Sequence, residues 1–234
     1  MATHPSEQRD PAIGVETPSR RPPQKRGGRP SRIDALKLGD RILDVATELF
    51  LEEGYGATSI ESVAGRAGIS KRTFYHRFDD KAELFAAVAH RIIERIRPQP
   101  IVPLIEGATL HEVLRRLAGF VLQAALSPPA LALHRLVTAE AARFPELARA
   151  VNGEGSTEEA TTMIAGLLSR EFGESGMSAA ARGCAAQLFL DMVIALPQRR
   201  ALGLGAPMTA AELDFWADDV ARLFLNGCRG WSTD

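Results

Sequence analysis

The chain has 234 residues, 45% of them hydrophobic, with 28 basic and 29 acidic side chains and a net charge of −1. That length suits one large or two small domains. No run of about eighteen apolar residues predicts a membrane span, and Met1 to Arg32 lacks the apolar core of a signal peptide. The near-neutral sum hides a split. Residues 1–97 carry 17 Lys+Arg against 14 Asp+Glu, net +3, and residues 98–234 carry 11 against 15, net −4. The basic end is the one expected to meet phosphate. Cys184 and Cys228 fall in apolar helical stretches and read as buried thiols of a reducing compartment, so the chain is expected in the cytoplasm. A regulatory disulfide is the alternative.

In chain order, Met1 to Ser31 is rich in Pro, Arg, Ser and Gly without periodicity and predicts a disordered arm, with the domain boundary set at residue 35. Arg20 to Arg32 holds six basic residues and no acid, and Gly28-Arg29-Pro30 resembles the core of a minor-groove hook, where arginine meets an enhanced negative potential. Two readings of the arm stand side by side: DNA contact through Arg29, or a solubilising tail.

Asp40 to Glu53 predicts the first helix, with an apolar stripe of Ile42, Val45, Ala46, Leu49 and Phe50, and Gly54 ends it. Thr58 followed by Glu61 reads as a capping box that opens the next helix. Ile60, Val63, Ala64 and Ala67 form its apolar face, and Gly68 stops it. Ser70 then caps a short helix in which Phe74 and Phe78, four residues apart, share a buried side. Lys71, Arg72, Thr73, Tyr75 and His76 are left pointing outward. An apolar back and a basic, hydroxylic front suit the second helix of a helix-turn-helix, which enters the DNA major groove. Lys71, Arg72 and Thr73 are placed for base edges; Tyr75 and His76, with the hydroxyls of Thr58 and Ser70, are placed for phosphate. Asp80 with Glu83 caps a helix running to about Arg97. Lys81 in its first turn opposes the helix dipole, which a nearby DNA phosphate would explain; an exposed lysine of no consequence is the alternative.

These residues carry a resemblance. Gly39 to Ile92 is similar to the N-terminal DNA-binding domain of the TetR family of bacterial transcriptional regulators, through Ala46, Leu49-Phe50, Gly54-Tyr55, Thr58-Ser59-Ile60, Val63-Ala64, Ala67-Gly68-Ile69-Ser70, Thr73-Phe74-Tyr75, Phe78, Lys81 and Leu84-Phe85. Arg72 departs from it, standing where the family more often has glycine. The resemblance implies a three-helix DNA-binding unit, here residues 36–97 with the connecting helix.

Pro98, Pro100 and Pro103 mark a boundary, and a second helical domain is expected over 98–234. Its helices start at Thr109 with Glu112, at Ser127-Pro128-Pro129, at Pro145, at Ser156 with Glu159, at Ser178 (with a break near Pro197) and at Thr209 with Glu212. No strand signal appears, so the fold class is all-α. Arg135 to Leu147, reading RLVTAEAARFPEL, resembles the ligand-domain helix pair of the AefR-like subgroup of the same family.

The resemblance implies a small-molecule pocket inside this domain. Phe120, His134, Phe144, Met163, Phe189 and Met192 are candidate wall residues, although such side chains suit a packed core equally well. A satisfied core histidine is the plainer reading of His134. The resemblance also implies a homodimer. The stripe Leu213, Trp216, Val220, Leu223, Phe224 and Gly227 on the last helix, and Ala160, Met163, Ile164, Leu167 and Leu168 on the Ser156 helix, are candidates for a four-helix contact between twins, with ordinary core packing as the alternative.

No phosphate loop, Cys-x-x-Cys, His-Glu-x-x-His or Gly-x-Ser-x-Gly occurs, so no enzyme, cofactor or metal is expected. His111 and Glu112 project about 100° apart on a helix and make a poor metal pair. The expected function is that of a dimeric DNA-binding regulator, a repressor that reads a palindromic operator in double-stranded DNA and is released by a small apolar or amphipathic effector, with no membrane partner. The rival is a helical ligand-binding or interaction module without specific DNA recognition.

Overall fold

The computed structural model describes residues 32–97, 109–152 and 156–229. The expected arm with Arg29, and the proline boundary at 98–103, lie outside the described residues. Ten helices occur among them and no strand: α1 (Arg32–Glu53), α2 (Ile60–Arg66), α3 (Lys71–Tyr75), α4 (Lys81–Ile96), α5 (Leu110–Ala125), α6 (Pro128–Glu140), α7 (Pro145–Asn152), α8 (Ser156–Gly176), α9 (Ala179–Ala201) and α10 (Ala210–Arg229).

Most of the helix starts follow the capping chemistry read from the sequence. The Thr109 hydroxyl accepts from the Glu112 N–H at 3.3 Å while the Glu112 carboxylate accepts the Thr109 N–H at 2.9 Å. Thr209 and Glu212 repeat the arrangement at 3.3 and 2.7 Å. Ser178 caps α9 through the Ala181 N–H at 3.2 Å. Helix α1 starts at Arg32, eight residues ahead of the expected Asp40.

Pro197 does not break α9. The helix continues through it to Ala201. Proline removes the N–H that would reach the carbonyl four residues back, that of Val193. The Trp216 indole N–H of α10 donates to that carbonyl at 3.0 Å, so the helix keeps its path and gains a cross-link. By length and composition alone α9 is long and apolar enough to cross a bilayer. It packs against α5, α8 and α10, with Ala185, Ala186, Phe189 and Val193 fully buried.

Two cores hold the chain. One joins α5, α8, α9 and α10 around Leu114, Ile164, Leu168, Phe189, Val193 and Phe224. The other is built on Ile42, Phe50, Tyr55, Val63, Phe74, Leu84 and Phe85, and it also takes in Leu133, Leu136 and Leu147 from α6 and α7. Each fully buried side chain of this size contributes about 1.5–3 kcal/mol of transfer free energy. By packing, therefore, α6 and α7 are the part of the second domain that seats the N-terminal unit, and α6 also touches α5. Arg91 ties α1 to α4, donating to the Asp40 carbonyl at 3.1 Å and meeting the Asp44 carboxylate at 2.9 Å.

Candidate nucleic-acid interface

The turn between α2 and α3 is set by backbone bonds. The Ile69 N–H reaches the Ala64 carbonyl at 2.9 Å and the Gly68 N–H reaches Gly65 at 3.1 Å. Gly68 has φ +66°, the left-handed conformation a helix stop of this kind requires. Ser70 then accepts the Thr73 N–H at 3.1 Å, and the Ser70 and Thr73 hydroxyls lie 2.9 Å apart. Phe74 is fully buried beneath α3, with ring centroids 5.6 Å from both Tyr75 and Phe78. The outer face is therefore fixed: Ser70, Lys71, Arg72, Tyr75 and His76 are exposed and Thr73 is half-buried. The structure brings these six predicted residues onto one short surface.

Thr58 and Lys81 are not on it. Ser59, not Thr58, caps α2: its hydroxyl accepts the Ser62 N–H at 3.0 Å, and Ser62 accepts the Ser59 N–H at 3.2 Å. Thr58 is 1% exposed and donates its hydroxyl to the Gly54 carbonyl at 2.8 Å. A buried, committed hydroxyl has no path to phosphate. Lys81 turns back into the protein, donating to the carbonyls of Tyr55 at 2.8 Å and Thr58 at 3.0 Å. These carbonyls, not an outside anion, answer the unfavourable helix position. Burial pushes the Lys81 ammonium below its ordinary pKa, with the carboxylates of Glu140 and Glu146 acting the other way.

Three residues beyond the predicted set shape the interface. Glu61, expected to complete a capping box, forms an ion pair with Lys71. Side-chain hydrogen bonding to Lys71 lowers the Glu61 pKa, and the same bond raises that of Lys71. Arg77, just past α3, donates to the Ala35 carbonyl of α1. Gly39 leaves it room, since a Cβ there would sit 2.7 Å from Arg77 Nη1. Glu61 stands ten residues before Lys71, across a turn, and Arg77 meets a residue forty-two positions away, so no local pattern announces either contact.

The expected pocket residues divide between the two cores, with Met163 and Met192 packed against the cluster that holds Phe189, and Phe144 against the other. Phe189 is buried against Phe224 at 5.0 Å in one core, whereas Phe144 packs edge-on to Tyr55 at 5.0 Å in the other. Phe120 is 36% exposed, and His134, Met163 and Met192 are half-buried. Among the described residues, open surface depressions are lined by Glu158, Glu159, Thr162 and Met163 and by Met208, Ala211, Glu212, Phe215, Trp216 and Asp219. Of the six candidates only Met163 lines either.

The dimer stripe divides the same way. Val220 (4% exposed), Phe224 (6%) and Leu167 (8%) face their own core, and Trp216 and Met163 are half-buried. Leu223 stands out at 65%, with Phe215 at 67% on the same helix and Leu188 at 44% on α9. Within the second domain, α9 and α10 thus carry Leu188, Phe215 and Leu223 outward, while Leu36 on α1 and Leu204 after α9 are exposed elsewhere. Cys184 is exposed on α9, against expectation, and Cys228 is buried.

An α2–turn–α3 unit over a shared aromatic core, with a basic and hydroxylic outer face, defines a helix-turn-helix DNA-binding protein. Comparison with known proteins agrees. Residues 42–88 match the model of bacterial regulatory proteins of the TetR family, and residues 112–227 that of the AefR-like transcriptional repressor C-terminal domain. The flavonoid-responsive regulator FrrA is 30% identical, with a TM-score of 0.68 over 82% of this chain and 96% of its own. A TetR-family regulator from Mesorhizobium loti MAFF303099 is 28% identical, with a TM-score of 0.63 over 82% and 97%. The HTH-type transcriptional activator FasR of Mycolicibacterium smegmatis is 34% identical over 85 residues, 35% of this chain and 39% of FasR. The chain thus spans only about two fifths of that curated relative's length. The chain belongs to the TetR family of bacterial transcriptional regulators.

Proposed function

We propose that the protein acts in the cytoplasm as a homodimeric repressor that binds a palindromic operator and leaves it when a small apolar or amphipathic molecule binds. The observation that carries the reading is the exposed face of Ser70, Lys71, Arg72, Tyr75 and His76 over the fully buried Phe74. A five-residue recognition helix reads only a few base pairs, so selectivity requires two copies on half-sites one helical turn, about 34–36 Å, apart. Phe215, Leu223 and Leu188 supply an apolar surface on which α9 and α10 of two copies can pack. FrrA is flavonoid-responsive by name, so planar amphipathic aromatic compounds head the effector screen. Since FasR is an activator, the sign of regulation is read by a reporter gene placed behind the operator.

The test is selection of duplexes from a random library at near-physiological salt. An enriched inverted repeat supports the dimeric reader. Binding that is salt-sensitive without sequence preference overturns it and favours a helical module lacking specific recognition.

A further inference from the structure

The segment Arg135 to Leu147 contains one residue whose environment local structure does not explain. Glu140 is the last residue of α6, where a carboxylate meets the negative end of the helix dipole. Its two oxygens leave that helix altogether. Oε1 accepts the Tyr55 backbone N–H and Oε2 accepts the Gly56 backbone N–H, both at 2.7 Å. The partners are more than eighty residues away, in the turn that carries the chain from α1 to α2.

That turn is shaped to receive a carboxylate. A Cβ on Gly54 would stand 2.6 Å from Oε1, and one on Gly56 would stand 3.1 Å from Oε2. Gly54 also has φ +88°, which turns the following amides toward the acceptor. The same turn is also held by Lys81, through the Tyr55 and Thr58 carbonyls. α7 adds a third tie, since the Tyr55 hydroxyl donates to Glu146 at 3.2 Å. Phe144, between α6 and α7, closes on the Tyr55 ring. The turn leads directly into Ser59, the cap of α2, and so fixes where the helix-turn-helix sits.

We propose that Glu140 is a positioning residue for operator binding: seated in the Gly54–Gly56 turn, its carboxylate holds the DNA-binding unit in one orientation on the C-terminal domain and so sets the half-site spacing that the dimer accepts. The proposal rests on the dimeric-reader function above. A merely stabilising contact would weaken every DNA complex equally. A positioning contact controls the distance between two recognition helices, and its loss leaves a single half-site untouched. Charge-assisted bonds to two consecutive amides also fix direction, which apolar packing alone does not.

The experiment has two arms, on Glu140→Gln and on Gly56→Ala, which reaches the same contact from the turn. In the first, nitroxide labels at Arg72→Cys and Arg116→Cys, in a Cys184→Ser background and diluted in unlabelled protein, report the orientation of the two units without DNA. One narrow distance is expected with Glu140 seated and a broadened or shifted one in both variants, helical content being unchanged. In the second, affinity is measured for operators whose spacers differ by single base pairs and for an isolated half-site. A loss of about tenfold at the preferred spacing, with flattened discrimination and an unchanged half-site, is expected. An unchanged distance, or equal losses at every spacing and at the half-site, overturns the proposal. If the parent protein selects no inverted repeat, the regulator reading fails separately, and the distance arm still decides whether Glu140 orients the unit.

Discussion

The Lys81 ammonium lies 4.4 Å from the centre of the Tyr55 ring and donates to the carbonyl of the same residue at 2.8 Å. A lysine so placed belongs to the fold. Lys81→Met keeps the stem and loses two charge-assisted bonds and the ring contact, and is expected to destabilise the protein by about 1–3 kcal/mol. Thermal unfolding checks it. An unchanged melting temperature with weakened DNA binding would return Lys81 to the phosphate-contact role.

Glu61→Gln is expected to act in the opposite sense. The ion pair with Lys71 is solvent-exposed and adds little to the fold. Its removal frees the lysine for DNA and removes a negative charge from the interface. Operator affinity should rise severalfold, with the melting temperature unchanged. Titration at two salt concentrations measures it; weaker binding would mean that Glu61 orients Lys71 productively.

Gly54 and Gly68 both hold positive φ, yet differ in surroundings. No heavy atom lies within 4 Å of a Cβ built on Gly68, so Gly68→Ala meets backbone strain alone, about 1 kcal/mol. Gly54→Ala adds the collision with Glu140 and should cost about 2–3 kcal/mol. Denaturant unfolding of the two variants gives the order; equal costs would mean that Glu140 moves aside freely.

The acid limb of stability should involve Glu112 and Glu212. The N–H and hydroxyl of Thr109 and of Thr209 hold these carboxyls below the ordinary value of 4.5. A group depressed in the folded state stabilises above its unfolded pKa and stops doing so as pH falls through the folded one. The melting-temperature gap between the parent and Glu112→Gln/Glu212→Gln should therefore be present at neutral pH and shrink as pH falls below the ordinary value of 4.5. A gap that persists in acid would assign the effect to packing.

On α10, Leu223→Asp should shift the protein toward monomer while each copy stays folded, since Leu223 is 65% exposed. Phe224→Ala, one position on and 6% exposed, should cost about 3–5 kcal/mol in the core. Light scattering with thermal unfolding separates the two.

The sequence carried the fold where the signal is local. Capping pairs at Thr109 and Thr209, the stop at Gly68 and the buried Phe74 each need only neighbours within one helical turn. It misplaced what depends on distant partners. Thr58 and Ser59 both have a suitable side chain three positions on, and only burial of the first decides which one caps α2. Apolar spacing marks Val220, Leu223 and Phe224 alike and cannot tell a chain's own core from a twin's. Lys81 and Glu140 find their roles at partners 23 to 85 residues away, beyond any periodicity.

Pro197 and Trp216 share one carbonyl, the proline vacating it and the indole occupying it. Neither residue is well placed without the other. Pro197→Ala would restore a competing N–H, and Trp216→Phe would leave the carbonyl of the buried Val193 without the indole. The two helices are thereby latched at one point, so that a change at either position is felt as a loosening of α9 against α10.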